Sequence, residues 1–115
     1  MIPDISNRKL VIVETPFSGD VEKNLRYLRA CMRDCVLRGE SPYASHGLLT
    51  QPGVLNDEVP DERELGIALG FKWHEVADYM VLYTDLGVTK GMQQGMANAV
   101  NNKLKVVRRQ IMWKD

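Results

Sequence analysis

The chain is short of the residues that usually announce chemistry: it has two cysteines, two histidines and no surplus of charge of either sign. Cys31 and Cys35 fall four apart in a stretch with helical periodicity, where neighbouring positions seldom reach disulfide geometry. No histidine cluster accompanies them to hold zinc. They read as small buried apolar residues of a reducing compartment. No metal site and no cofactor is predicted. With 15 basic residues against 15 acidic ones, the chain lacks the broad positive surface that nucleic acid or an anionic membrane would need. Arg108, Arg109 and Lys114 near the end are three charges without a wider patch. No apolar run approaches membrane-spanning length and no apolar block precedes the first strand-like run, so a cytoplasmic location is expected rather than insertion or export.

What is present fits one folded domain over 1–115: 115 residues with an apolar fraction of 44%, enough for one core and too few for two. Leu10-Val11-Ile12-Val13 is a β-branched run with the character of a central strand, and Pro16 biases Thr15 toward extended backbone before the turn Glu14 to Asp20. From Val21 the period changes: Val21, Leu25, Leu28, Met32 and Cys35 recur three or four apart, predicting an amphipathic helix ended by Gly39, with Ser18 as its cap. Ser41 to Ser45 predicts a short second strand. The connection from His46 to Pro60 is long for a small α/β domain, which suits a ligand lid or interface element. Asp61 to Ala77 reads as a second long helix, packing through Leu65, Ala68, Leu69, Lys72, Trp73, Val76 and Ala77. Gly66 and Gly70 weaken it by about 1 kcal/mol each relative to alanine, so their spacing predicts a close backbone contact with the sheet or a second subunit. His74, between Trp73 and Glu75, reads as a surface or interface residue.

Tyr79 to Tyr83 is a short apolar run without clean alternation, as in a strand covered on both faces. Thr84 to Ala99 then turns this strand into a third helix, through Asp85, Gly87 and Thr89, running to about Asn101. Leu104 to Val107 predicts a last strand, leaving 108–115 as a tail whose Ile111 and Trp113 dock on the core or on another subunit. The order β-α-β-α-β-α-β is most economically folded as a three-layer, Rossmann-like (flavodoxin-like) α/β sandwich with a four-stranded parallel sheet in the order 2-1-3-4. A ligand then sits at the carboxyl ends of strands one and three, where unpaired helix N-H groups face the crevice. This brings Thr15, Pro16, Phe17, Ser18 and Gly19 beside Asp85, Gly87, Thr89, Lys90, Gly91 and Met92.

Several of these stretches together resemble the nucleoside 2-deoxyribosyltransferase-like superfamily, in particular its small bacterial and phage relatives. They are Val13-Glu14-Thr15-Pro16-Phe17-Ser18-Gly19, Arg63-Glu64-Leu65-Gly66, Asp85, and Thr89-Lys90-Gly91-Met92 followed by Ala97 and Ala99. The resemblance covers Leu10 to Val107 and implies the fold above, cleavage of an N-glycosidic bond by a carboxylate nucleophile, and homo-oligomers of dimers or larger rings. It implies a phosphate at the helix start around Thr89, Lys90, Gly91 and Met92. It also implies a catalytic Glu four residues after Gly91, where this chain has Gly95. A glycine can neither attack an anomeric carbon nor neutralise the charge developing there.

Asp85 is the best substitute by context, with Glu14 second. Glu64 and His46 are further candidates to touch a ligand, His46 because its ordinary pKa near ~6.5 suits acid-base work. Three functions follow. The leading one is binding of a nucleotide or related ribosyl compound without the glycosidase chemistry of the relatives. Its rivals are an N-glycosidase or deoxyribosyltransferase using a relocated carboxylate, and a structural or protein-interaction module. All are compatible with a homo-oligomer formed through the helix around Gly66 to Trp73.

Overall fold

The computed structural model describes residues 2–115. Its centre is an all-parallel sheet in which β1 (Leu10–Glu14) and β3 (Tyr79–Tyr83) lie side by side, flanked by β2 (Ser41–Tyr43) and β4 (Lys105–Arg109), in the order β2-β1-β3-β4. This is the predicted α/β architecture and strand order. Although the central strands read as continuous apolar runs, their side chains alternate between two cores. Val11, Val13, Val81 and Tyr83 face α1 (Val21–Leu37), packing with Tyr27, Leu28, Cys31 and Cys35. Ile12 and Met80 face the other way, toward Ala99 on α4 (Lys90–Asn101) and Leu104. By the same alternation Glu14, two residues beyond Ile12, belongs on the α4 face.

The long connection holds a helix that periodicity did not reveal, α2 (Ser45–Leu48), wedged between α1 and α3 (Pro60–Lys72). Glycines set how tightly it fits. A Cβ on Gly47 would lie 2.5 Å from Leu28 Cδ2, and one on Gly70 would lie 2.4 Å from Ser45 Oγ. The close contact read from Gly70 is therefore made to α2, rather than to the sheet or a second subunit, and Gly66 faces Leu55. The expected second strand is correspondingly shorter and stops at Tyr43. The expected helix over 61–77 ends at Lys72 and tightens into a 3-10 turn over Trp73–Glu75, a common way for the last turn of a helix to finish. Its apolar stripe is not a packing face: Leu65, Leu69, Trp73 and Val76 are 44–60% exposed.

The last strand extends to Arg109, so Arg108 and Arg109 belong to the sheet and not to a tail. Arg109 donates from Nη1 and Nη2 to the two carboxylate oxygens of Glu40 at 2.7 and 2.6 Å, and Tyr79 O-H donates to Glu40 as well. The Arg109 guanidinium, against the cost of burial, holds the Glu40 carboxyl down at about 2. This pair ties β4 to the turn between α1 and β2. Ile111 and Trp113 pack against the α1-side core, with the Trp113 ring edge-on to Tyr27 at 5.2 Å, as their apolar character predicts. No helix among the described residues is long and apolar enough to cross a membrane.

Candidate functional site

At the carboxyl ends of β1 and β3 lies a crevice of about 190 Å³, opening onto a wider surface groove of about 970 Å³. The last residue of β1, Glu14, and the turn after it, through Thr15, Phe17 and Ser18, line the crevice on one side, and the start of α4 supplies Thr89, Lys90, Gly91 and Met92. His46 enters from α2. The two turns thus meet at one mouth of the sheet, as sequence order predicts. Gly19 lines only the outer groove, and its φ of +100° shows that its task is the turn itself. Pro16 is buried and lines neither space.

Glu14 is the chemical centre of this crevice. Strand alternation aims it at the middle of α4, where Gly95 leaves room: a Cβ built on Gly95 would sit 2.3 Å from Glu14 Oε2 and 2.8 Å from its Cδ. The carboxyl occupies the space in which a side chain at position 95 would begin. Burial pushes its pKa up to about 8, and no neighbouring charge or hydrogen bond offsets that penalty. Glu14 in this surrounding therefore favours its protonated form at neutral pH. His46 is displaced in the opposite sense, its pKa lowered to about 4 by burial, with Nε2 2.8 Å from Thr15 Oγ1. A proton sits on the acid and none on the base, an arrangement typical of sites prepared for proton transfer or for a charged transition state.

The start of α4 offers donors. Thr89 caps the helix, its Oγ1 accepting from Met92 N-H at 3.2 Å, and the Lys90 and Gly91 N-H groups have no intrahelical acceptor. Ser18 does not cap α1. Asp20 does, accepting from Lys23 N-H, which leaves the exposed Ser18 hydroxyl at the groove. The β1 turn is itself held by the Asn24 amide, which donates to the carbonyls of Phe17 and Ser18.

Other expected residues lie elsewhere. Asp85 is a fastener rather than a ligand group: its carboxylate accepts from Tyr27 O-H at 2.7 Å and from the Ile111 and Trp113 N-H groups at 3.1 and 3.2 Å. Burial opposes its ionisation, but these hydrogen bonds outweigh burial and hold its pKa below the ordinary carboxylate value. Asp85→Ala is expected to cost about 1–3 kcal/mol of stability, the range for a lost hydrogen-bonded anchor, and to speed amide exchange at Ile111 and Trp113. Ligand affinity in the crevice should be unchanged, as isothermal titration would show. Gly87 only turns the chain, at φ +87°, and Glu64 is exposed on a separate shallow groove between α3 and α4.

The structure also brings to the crevice residues that the sequence does not mark as ligand-binding. Arg63 joins the crevice beside Asp57, its Nη1 3.7 Å from Asp57 Oδ2. His74 is not on the surface: it is 4% exposed, lines the crevice, and its Nδ1 lies 2.8 Å from Asn98 Nδ2. Its position follows from the 3-10 turn, which no periodicity signals. Among the described residues no group of three or more His, Cys, Asp or Glu side chains is placed to hold a metal ion.

A four-stranded parallel sheet in this order, with a crevice at its carboxyl edge flanked by a helix N-terminus, places the molecule among Rossmann-like α/β proteins. The chain belongs to the family described as Domain of unknown function (DUF7768), whose model matches residues 9–109. A solved structure similar to it is a 2-deoxyribosyltransferase from the psychrotolerant bacterium Bacillus psychrosaccharolyticus, described as a biocatalyst for industrial synthesis of antiviral and antitumoral nucleosides. The two superpose with a TM-score of 0.67 at 11% identity, over 92% of this chain and 75% of the other. At that identity the likeness is one of fold. No curated protein matches the chain.

Proposed function

We propose that the protein binds a nucleotide or a related ribosyl compound in this crevice. The observation that carries the reading is the meeting of two turns around one opening, with backbone donors on one side and an unpaired carboxyl inside. The phosphate lies at the Lys90 and Gly91 N-H groups with the Lys90 ammonium close by, and the sugar lies beside Glu14. Likeness of fold to a 2-deoxyribosyltransferase supports this choice of ligand class. Titration calorimetry with nucleoside 5′-monophosphates tests it. Gly91→Leu, which closes the approach to the backbone, is expected to weaken binding at least about tenfold, or 1.4 kcal/mol. Full affinity in that variant would remove the helix start from the site.

The position of Glu14 favours a second step, cleavage of the N-glycosidic bond. The Glu14 carboxylate attacks the anomeric carbon as the bond to the base breaks, and water then releases the sugar. This is the relocated carboxylate that the Gly95 position calls for, delivered from β1 instead of α4. We further propose that the exposed stripe formed by Leu65 and Leu69 on α3 with Trp73 and Val76 in and after the 3-10 turn pairs with a second copy of the chain, because such a stripe is costly to leave in water.

A further inference from the structure

Three features recur along the face of α4 that the crevice exposes: the N-H donors at Gly91, the Glu14 carboxyl against Gly95, and the His74 ring held by Asn98. At 1.5 Å of rise per residue, the first two are separated by about 6 Å along the helix and the next two by about 4.5 Å. A ligand with its phosphate at Gly91 and its anomeric carbon near Glu14 therefore brings the group bonded to that carbon toward His74. We infer that His74 is the residue that reads the base, donating from Nε2-H to an acceptor on the base edge. The inference rests on the nucleotide reading above and adds a specificity-determining residue to it.

The ring is prepared for this role by what surrounds it. The Asn98 amide nitrogen can only donate, so His74 Nδ1 is the acceptor and the neutral ring carries its proton on Nε2. Burial lowers the His74 pKa and so favours the neutral ring, while the contact with Asn98 is what selects its tautomer. No protein group accepts from Nε2, yet among the described residues no fully buried side-chain nitrogen or oxygen is without a partner, so Nε2 is not sealed away. Phe71, whose ring lies 5.3 Å from that of His74, and Ile67 form an apolar wall beside it. One donor in an apolar wall discriminates strongly, because a ligand lacking the matching acceptor leaves the donor unpaired. As the bond to the base weakens and negative charge grows on the departing ring, the same hydrogen bond strengthens.

Two probes separate this inference from the reading on which it rests: a set of nucleoside 5′-monophosphates, and ribose 5-phosphate, which keeps sugar and phosphate but has no base. The expected result is that His74→Phe weakens the preferred monophosphate at least tenfold and leaves ribose 5-phosphate unchanged, while His74→Gln, which retains an N-H donor, recovers part of the loss. If the wild-type protein binds none of the monophosphates, the nucleotide reading fails and this inference with it. If the wild type binds them and a folded His74→Phe variant binds them equally well, or loses both probes alike, the base-reading role is overturned and the nucleotide reading stands. Nitrogen-15 spectra of the wild-type protein decide the matter even where a variant fails to fold. The ring should show the Nε2-H tautomer and a shift at Nε2 with monophosphate but not with ribose 5-phosphate; an Nδ1-H tautomer, or no shift, overturns the inference.

Discussion

Glu14→Gln is expected to abolish hydrolysis of the bound N-glycoside, by at least about 10²-fold, while leaving the fold intact and removing the loss of stability that ionisation of this group causes. Glutamine is nearly isosteric, so the contact with Gly95 survives, but an amide can neither attack the anomeric carbon nor carry the charge that opposes the developing cation. Two buried groups set the pH dependence of stability, and they oppose each other below pH 6.5: His46, its pKa lowered from 6.5 to about 4, adds stability as pH rises through that range. Glu14 has its pKa raised from 4.5 to about 8 by burial, so between those values the folded chain keeps a proton that the unfolded chain releases. Stability contributed in this way is fully present below pH 4.5, falls as pH rises, and is gone above about 8, a loss on the order of a few kcal/mol. Chemical denaturation should show a wild-type profile nearly level from pH 4.5 to 6.5 and declining from there to about 8, and in the variant a rise up to pH 6.5 followed by a level profile. Turnover runs the other way: the attacking form is the carboxylate, so the wild-type rate should climb with pH, pass half its maximum near 8 and level off above it. A rate that falls over this interval would mean that Glu14 works as a proton donor instead.

How Glu14 comes to face Gly95 shows what can and cannot be read from the chain. The strand runs, the helical stripes of α1 and α4 and their alternation yield the sheet order and the meeting of the two turns, because burial on both faces of a parallel sheet writes its period plainly into the residues. Ile12 packs in one cluster with Ala99. Two residues further along β1 and one turn back along α4 lie Glu14 and Gly95, so their contact follows from the two periods once that pairing is known. Context instead favoured Asp85, since an acidic residue in a turn says nothing about which hydrogen bonds will occupy it. Tyr27, Ile111 and Trp113 do so from 26 or more positions away in the chain. His74 and α2 were hidden for a related reason. A four-residue helix and a 3-10 turn are held by contacts such as Gly70 against Ser45, which have no local pattern.

The same geometry makes Glu14 and Gly95 a mutually exclusive pair, and exchanging them is the strictest test of the site. Gly95→Ala should be tolerated by the fold. The atoms that a new Cβ would meet, at 2.3 and 2.8 Å, are the far end of a flexible side chain, and alanine favours the helix over glycine by about 1 kcal/mol. Its cost falls on chemistry, because the Glu14 carboxyl must swing out of the crevice, and hydrolysis should drop nearly as far as in Glu14→Gln. Gly95→Glu alone places a second carboxyl against the first. Like charges at that separation cannot both ionise in a buried site, so this variant should be inactive and less stable at neutral pH. Combining Gly95→Glu with Glu14→Ala vacates the β1 position and supplies the acid from α4, and it should recover part of the activity that either change alone destroys. Measured by release of free base from the preferred monophosphate, a double variant no more active than Glu14→Ala would show that the carboxyl is needed only where β1 presents it. Recovery would show that one acid at this point of the crevice suffices, whichever element carries it.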